Sequence, residues 1–415
     1  MEMRTGCKKT EVGFIPVEWK VSLLGECSDS SSGTTPARSL HTRYYAGGST
    51  PWVKTLDLNN SSIIETDERV TELALRETSL RVHPAGAVLV AMYGGFVQIG
   101  RTGLLSFPAA VNQALTAVRP NEHQLDSKYL LYVLNKRVDY WKGVASSSRK
   151  DPNITGNDVR AFPLALPPIT EQRAIATALS DVDALIAGLE KLIAKKRDLK
   201  QAAMQQLLTG QPRLPVFSGE WARNDLKNLV STPITDGPHL TPTFYETGIP
   251  FLSVNNLANN RIDWSDLRFI SKADDEIFSR KCKPRKGDVL LGKAASVGKV
   301  AIVEDDFDFN IWSPIALIRT GEQVNAKFLY YQLLSADCIT QVLLLTNSSS
   351  QGNIGMGDIE KLQISYPCYE EQTAIAKVLV DMDAELLSLE TRLVKTRELK
   401  QGMMQELLTG RTRLL

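Results

Sequence analysis

The sequence holds little that would bind it together by special means. Its five cysteines, Cys7, Cys27, Cys282, Cys338 and Cys368, lie far apart, and no two have the two-residue spacing of a zinc clamp or a redox loop. Aromatic residues make up only 7% of the chain. Charge of one sign is also missing: 48 Lys and Arg against 47 Asp and Glu give a formal net charge of +1, so no bulk positive field holds this protein on nucleic acid or membrane. Local basic patches remain possible on a neutral chain. The longest aliphatic run, residues 342–345, is far too short to span a bilayer, and no apolar stretch of signal-peptide length follows the first residues. These absences lead us to expect a soluble, cytoplasmic protein with reduced thiols.

Catalytic signatures are equally sparse. The stretch from Gly292 to Val300 has the look of a P-loop, but five residues separate its glycines and Val300 stands where Ser or Thr must meet magnesium. Asp151-Pro152-Asn153-Ile154 falls short of the motif of amino-methyltransferases, lacking its second proline and its stacking aromatic. The four histidines, His41, His83, His123 and His239, have no second ligand at helical or hairpin spacing. We expect no catalytic residues, no metal and no cofactor on this chain.

What the sequence does contain is itself, twice. Glu171-Gln172 recurs as Glu371-Gln372, Asp181-Val182-Asp183 as Asp381-Met382-Asp383, Leu199-Lys200-Gln201 as Leu399-Lys400-Gln401, and Leu207-Leu208-Thr209-Gly210 as Leu407-Leu408-Thr409-Gly410. The offset is 200 each time, and positions 171–215 and 371–415 share 24 of 45 residues without a gap, which means duplication. Ahead of each block the correspondence thins to anchors such as Pro51-Trp52 with Pro250-Phe251, Gly86 with Gly287, and Asn153-Ile154 with Asn353-Ile354. The chain therefore alternates variable domain, constant segment, variable domain, constant segment.

In the constant segments Ile175, Leu179, Val182, Ile186, Leu189 and Ile193 are spaced four and three apart, and Ile375, Leu379, Met382, Leu386, Leu389 and Leu393 repeat the frame. That is the a/d seam of a coiled coil. Further along, the frame admits Lys196, Lys200, Thr396 and Lys400 before recovering at Ala203, Leu207, Met403 and Leu407, which predicts either a polar contact or a different partner at that level. Thr170 is placed as an N-cap, and Gly210 and Gly410 as stops. Each helix would cover ~40 residues, or ~60 Å. If the first helix delivers the chain to the second domain, the second must return, so the two pair antiparallel and one chain imitates a two-fold dimer.

The variable domains mix short alternating strands (residues 87–92, 288–291, 299–303 and 315–318) with short helices (127–135 and 326–335). The fold class is thus α+β: two domains of mixed α and β structure joined by two long antiparallel helices as a coiled-coil spacer, with a pseudo-two-fold internal repeat. The boundaries are residues 1–168 for the first variable domain, 169–212 for the central helix, 213–368 for the second domain and 369–412 for the C-terminal helix. Polar, glycine-rich loops carry Arg38, His41, Arg43, Tyr44, Gln98, Arg101 and Arg149 in the first domain. Those of the second carry His239, Asn255, Asn256, Lys293, Ser296, Lys299 and Gln351. Arg, Lys, Asn and Gln match base edges and phosphates, so these are the candidate DNA-binding residues. The basic run from Arg280 to Lys286 could grip a phosphate backbone, but it leads into an expected strand and reads rather as a solvated turn.

With these residues in view, the chain resembles the specificity subunit of a type I restriction-modification system. The resemblance rests on Pro167-Pro168-Ile169-Thr170-Glu171-Gln172 opening a helix that ends Leu207-Leu208-Thr209-Gly210, on the second copy from Pro367 to Gly410, and on Ser32-Gly33-Thr34-Thr35-Pro36, Pro51-Trp52-Val53 and Gly287-Asp288-Val289-Leu290. It covers essentially the whole chain. It departs from the family pattern at Thr34, where a second glycine is usual, and at Thr235-Asp236-Gly237-Pro238-His239 in the second copy. The resemblance implies two target recognition domains, each reading one half of a bipartite double-stranded DNA site, and helices that set the gap. It also implies two methyltransferase subunits that carry S-adenosylmethionine and methylate adenine. Two restriction (motor-nuclease) subunits, with ATP and Mg2+, would cut unmodified DNA as a defence against foreign DNA. The competing reading is a coiled-coil scaffold or adaptor that does not bind DNA.

Overall fold

In the computed structural model, residues 6–145, 153–346 and 352–414 are described, and the chain forms two compact units, Met1–Leu189 with Arg392–Leu415, and Glu190–Thr391. Two uninterrupted helices, Ile169–Leu207 and Tyr369–Leu407, account for the constant segments. Each unit takes the first half of one and the second half of the other. At 1.5 Å per residue each helix is ~58 Å long.

The first unit starts with the hairpin Cys7–Thr10 and Gly13–Pro16, and Lys20–Leu23 pairs antiparallel with Pro163–Leu166 just ahead of the long helix. Its body is a five-stranded sheet, in the order Ser28–Ser32, Leu115–Pro120, Val88–Ala91, Thr102–Leu105, Ser62–Ile63. A four-stranded sheet, in the order Arg69–Val70, Thr50–Val53, Ala109–Val111, Val82–His83, completes it. Strand Val88–Ala91 is buried on both faces. It turns Val88 and Val90 to a core shared with the helix Ser127–Lys136, and Leu89 and Ala91 to a second core with Val53 and Val111. Alternation of side chains across a strand makes this possible.

The second unit repeats the plan. Ala222–Asp225 pairs with Gln363–Tyr366. Thr235–Asp236, Ile315–Ile318, Val289–Gly292 and Val300–Ile302 form the main sheet, while Arg268–Ile270, Ile249–Leu252 and Asn310–Ile311 form the smaller one. Helices Ala326–Leu333 and Ala336–Leu345 stand where Ser127–Lys136 and Val138–Val144 stand in the first unit. The six elements expected from the sequence, residues 87–92, 127–135, 288–291, 299–303, 315–318 and 326–335, end within two residues of the observed ones. Among the described residues no single helix is long and apolar enough to cross a membrane.

The long helices differ from expectation only at their ends. The first begins at Ile169, where the Pro168 carbonyl accepts from Glu171 N and Gln172 N, so Thr170 lies inside the helix instead of capping it. Both helices stop at leucine and close through a left-handed glycine, Gly210 at φ 70° and Gly410 at φ 68°, with the amide of the next residue reaching back to Gln206 O and Glu406 O. A side chain at that φ is strained, which is why glycine recurs there.

Candidate nucleic-acid interface

The helix starts are riveted by a side chain that the seam pattern does not flag. Gln172 is fully buried; its Oε1 accepts from Asp126 N at 2.9 Å, and its Nε2 donates to Gln124 O and Pro167 O at 2.8 and 2.9 Å. Gln372 does the same in the second unit, with Asn325 N, Gln323 O and Pro367 O at 2.8, 3.0 and 2.9 Å. The sequence marks them by their identity at the 200-residue offset and, for Gln172, by its place in the motif that opens the helix. Each glutamine ties its helix to the loop ahead of a core helix, and so fixes the domain against the long helix.

All twelve seam residues are at least half-buried; Ile175, Leu179, Leu189, Ile193, Ile375, Leu379 and Leu386 are below 9% exposed. Off the seam, Leu185, Leu192, Leu199, Leu387, Val394 and Leu399 are exposed. Of the two expectations for the weakened seam, the structure shows the polar contact, an ion pair made once in each unit. In the first, Lys400 Nζ lies 2.6 Å from Asp183, which also accepts from Tyr132 Oη at 2.7 Å. In the second, Lys200 Nζ lies 2.5 Å from Asp383, which accepts from Tyr331 Oη at 2.7 Å. Each lysine also sits 5.6 Å from the ring of the same tyrosine. Burial, helped by the nearby aspartate, pushes both phenols well above their ordinary range, so they stay protonated donors. Lys196–Glu385 and Arg197–Glu390 add two more pairs to the second unit. Within each unit the two helix halves therefore run antiparallel.

A second clamp closes behind each helix. The Arg413 guanidinium holds Glu171 through Nε at 2.5 Å and Nη2 at 2.8 Å, while Trp19 Nε1 donates to Glu171 at 3.1 Å. Arg213 grips Glu371 in the same bidentate way. Both glutamates are at most 2% exposed. The forked donor geometry suits a buried carboxylate, and a lysine could not reproduce it.

The candidate DNA-binding residues separate by what they already hold. Arg38 pairs with Glu68 at 2.7 Å and lies 4.4 Å over the Tyr45 ring, on whose plane His41 also stacks. Arg43 forms a bidentate pair with Glu77, which also accepts from Tyr44 Oη at 3.2 Å. These hydrogen bonds hold the Glu68 and Glu77 carboxyls below their usual range. In the second unit Asp236 is buried and takes Lys281 at 2.5 Å, Lys293 at 2.9 Å and His239 at 3.4 Å. Burial opposes the Asp236 charge, but the two lysines more than offset it and the carboxyl sits below its ordinary value.

Two candidates are already committed within the protein. Tyr44 is buried and committed to Glu77. Asn256 is 7% exposed and braces its own loop: its Oδ1 accepts from Ser253 N at 2.9 Å, and its Nδ2 donates to Asp263 O and Asp266 O at 3.1 and 2.8 Å. Neither offers a free polar edge. Its neighbour Asn255 is exposed; among the described residues Arg101 and Lys299 carry no ion pair, and the Gln98 and Ser296 side chains make no hydrogen bond. Arg149 and Gln351 lie outside the described residues, as does most of the Asp151-Pro152-Asn153-Ile154 stretch.

The glycine in each divergent recognition loop has a common cause. A Cβ on Gly33 would come within 2.2 Å of the Val111 and Asn112 carbonyls, and one on Gly237 within 1.8 Å of the Ile311 carbonyl. These are the same place in the two units, where the loop passes over the smaller sheet; Ser-Gly-Thr-Thr-Pro and Asp-Gly-Pro-His share that requirement and differ around it. The P-loop reading fails structurally as well. Residues 293–299 join the antiparallel strands Val289–Gly292 and Val300–Ile302, so no helix follows to receive a phosphate. Lysines of the Arg280–Lys286 run pair internally, Lys281 with Asp236 and Lys283 with Asp275 and Asp308. Among the described residues no three His, Cys, Asp or Glu side chains are grouped to hold a metal ion.

Comparison with known proteins agrees with the resemblance read from the sequence. The family model described as the type I restriction modification DNA specificity domain matches twice, over residues 16–196 and 232–398. The MjaIX specificity subunit of a type I restriction enzyme from Methanocaldococcus jannaschii is 22% identical, covering 99% of this chain and 97% of its own. The EcoBI specificity subunit of Escherichia coli is 23% identical over 78% of this chain and 73% of its own. The crystal structure of a type I restriction-modification S subunit from M. genitalium superposes with a TM-score of 0.62 at 15% identity, covering 98% of each chain. The matched stretches take in most of the sequence, and the chain belongs to the type I restriction-modification DNA specificity family, whose part is recognition and not catalysis.

Proposed function

We propose that each recognition domain reads one half of an asymmetric, bipartite duplex-DNA target, and that the paired helices set the unread gap. The observation that carries this reading is the repetition of one set of clamps, Gln172, Glu171, Asp183 and Lys200 with their partners 200 residues on, beneath two domains whose loops differ. Identical mounting with different loops is what two readings of one kind require. On this reading the helices also dock two methyltransferase subunits and, through them, two restriction subunits. S-adenosylmethionine, ATP and Mg2+ belong to those partners, and the assembly acts on DNA in the cytoplasm. With a net charge of only +1, the chain supplies selectivity while its partners supply much of the grip on phosphate.

The gap is testable through helix length. One heptad inserted in each helix, within residues 190–200 and 390–400, adds ~10 Å while keeping the seam on its face. That corresponds to about three base pairs at ~3.4 Å each. Mapping methylated adenines in cells that carry the insertion should show both half-sites unchanged and the gap longer. Methylation at the original spacing would refute the role given to the helices.

A further inference from the structure

We propose that the loop at residues 93–98 of the first unit is an apolar wedge that enters the duplex at the first half-site and parts one base step. The proposal rests on the DNA-reading function above.

This loop joins strands Val88–Ala91 and Thr102–Leu105. Gly94 and Gly95 both have positive φ, 110° and 73°, and the Gly95 carbonyl accepts from Gln98 N and Ile99 N at 3.0 Å, closing an ordered turn. Ile99, 2% exposed, anchors the turn in the core. The same turn leaves Tyr93, Phe96 and Val97 in solvent, at 42%, 51% and 89% exposure. Three large apolar side chains at a loop tip favour a covered state over a hydrated one.

The cover is identified by what stands at the end of the loop. Arg101 has no acidic partner among the described residues, whereas Arg38 and Arg43 each have one. In the second unit the equivalent loop, residues 293–299, is held by matching backbone bonds: Ala91 N donates to Arg101 O at 2.9 Å, and Gly292 N to Lys299 O at 2.8 Å. Lys299 falls at the position of Arg101 and is likewise without an acidic partner. A cation kept at one place in two divergent loops, and left unneutralised, matches a phosphate. An apolar tip beside a phosphate contact is the arrangement by which proteins insert Phe or an aliphatic residue between base pairs and kink the duplex. The second unit lacks the tip. Its loop is shorter: Ala294, Ala295 and Ser296 stand where the first loop has its large apolar tip, and Val297, like Ile99, packs against the core. The wedge therefore acts on one half-site only.

The test uses the chain assembled with its methyltransferase partners and its own target duplex, with 2-aminopurine placed in turn along both half-sites. Both half-sites give the signal of the flipped target adenine. Beyond it, one further position in the first half-site should brighten several-fold on binding. The Phe96→Ala/Val97→Ala variant should lose that signal and bind ~10-fold more weakly, a loss of the size seen when stacking contacts are removed. Its discrimination in the second half-site should stay intact. Arg101→Ala should weaken binding to all sequences and lower the salt dependence by about one counterion. The extra signal persisting in the double variant, or never appearing in the parent, would overturn the wedge while leaving half-site reading in place. Failure of the double variant to assemble with the methyltransferase would assign the tip to a protein contact instead, which also overturns it. Absence of any preference for target over unrelated DNA in the parent complex would overturn the function proposed above, and the wedge with it.

Discussion

Replacing Arg413 with alanine leaves the Glu171 carboxylate, 2% exposed, with the Trp19 indole as its one remaining partner among the described residues. Removing one member of a buried ion pair costs about 3–5 kcal/mol, because the surviving charge is stranded. The Arg413 side chain is 24% exposed, so its removal admits some water and lowers the cost to about 2–3 kcal/mol. For a unit of this size 1 kcal/mol corresponds to roughly 2–4 °C, giving a fall in Tm of roughly 4–12 °C. Calorimetry measures that shift, and hydrogen exchange places it: protection should drop around the start of helix Ile169–Leu207 and not within Glu190–Thr391. Arg213→Ala should do the reverse, loosening the start of Tyr369–Leu407 by a similar amount, since Glu371 is as buried. The double variant Arg413→Ala/Glu171→Gln, which strands no charge, should recover part of the loss. A shift below 1 °C in Arg413→Ala, or equal loss of protection in both units, would refute the clamp.

Two further predictions separate bracing from reading. Lys136 donates to the carbonyls of Met404 and Gln405 at the end of the second long helix, and burial lowers its pKa to about 8 from an ordinary 10.5. Between those values the unfolded chain binds more protons than the folded one, so this group makes stability rise from about pH 8 to 10.5. Denaturant unfolding across that range should show the rise flattened in Lys136→Met, and an identical slope in both proteins would contradict it. Asn256→Ala should cost about 1–3 kcal/mol by stranding the groups it satisfies. Asn255→Ala should stay within 0.5 kcal/mol of the parent and weaken only DNA binding; equal thermal stability of the two variants would return Asn256 to the list of readers.

Periodicity and repetition carried most of the fold. The seam from Ile175 to Ile193 and its copy are legible because a buried helix face must repeat every three to four residues, and burial follows that spacing. The polar break at Lys200 and Lys400 was also visible. Its partners were not, because Asp383 and Tyr331 reach Lys200 through antiparallel pairing and tertiary packing that local sequence does not encode.

The candidate site was less legible for the same reason. Arg43 and Glu77 are 34 residues apart, and Asp236 meets Lys281 and Lys293 only after the sheet has formed. A polar residue in a loop looks alike whether it faces DNA or braces the turn, as Asn255 and Asn256 show. Gln172 and Glu171 were the opposite case: their pairing at the 200-residue offset marked them, but seam reasoning weighed only apolar positions.

The central claim is that one chain carries two independent readers on one repeated frame. Exchanging residues 1–165 for the equivalent domain of a relative, and then mapping methylated adenines across the host genome by single-molecule sequencing, tests it directly. The account predicts a methylated motif in which one half-site is new while the other half-site and the gap are unchanged. A motif altered in both halves, or methylation indifferent to this gene, would contradict it.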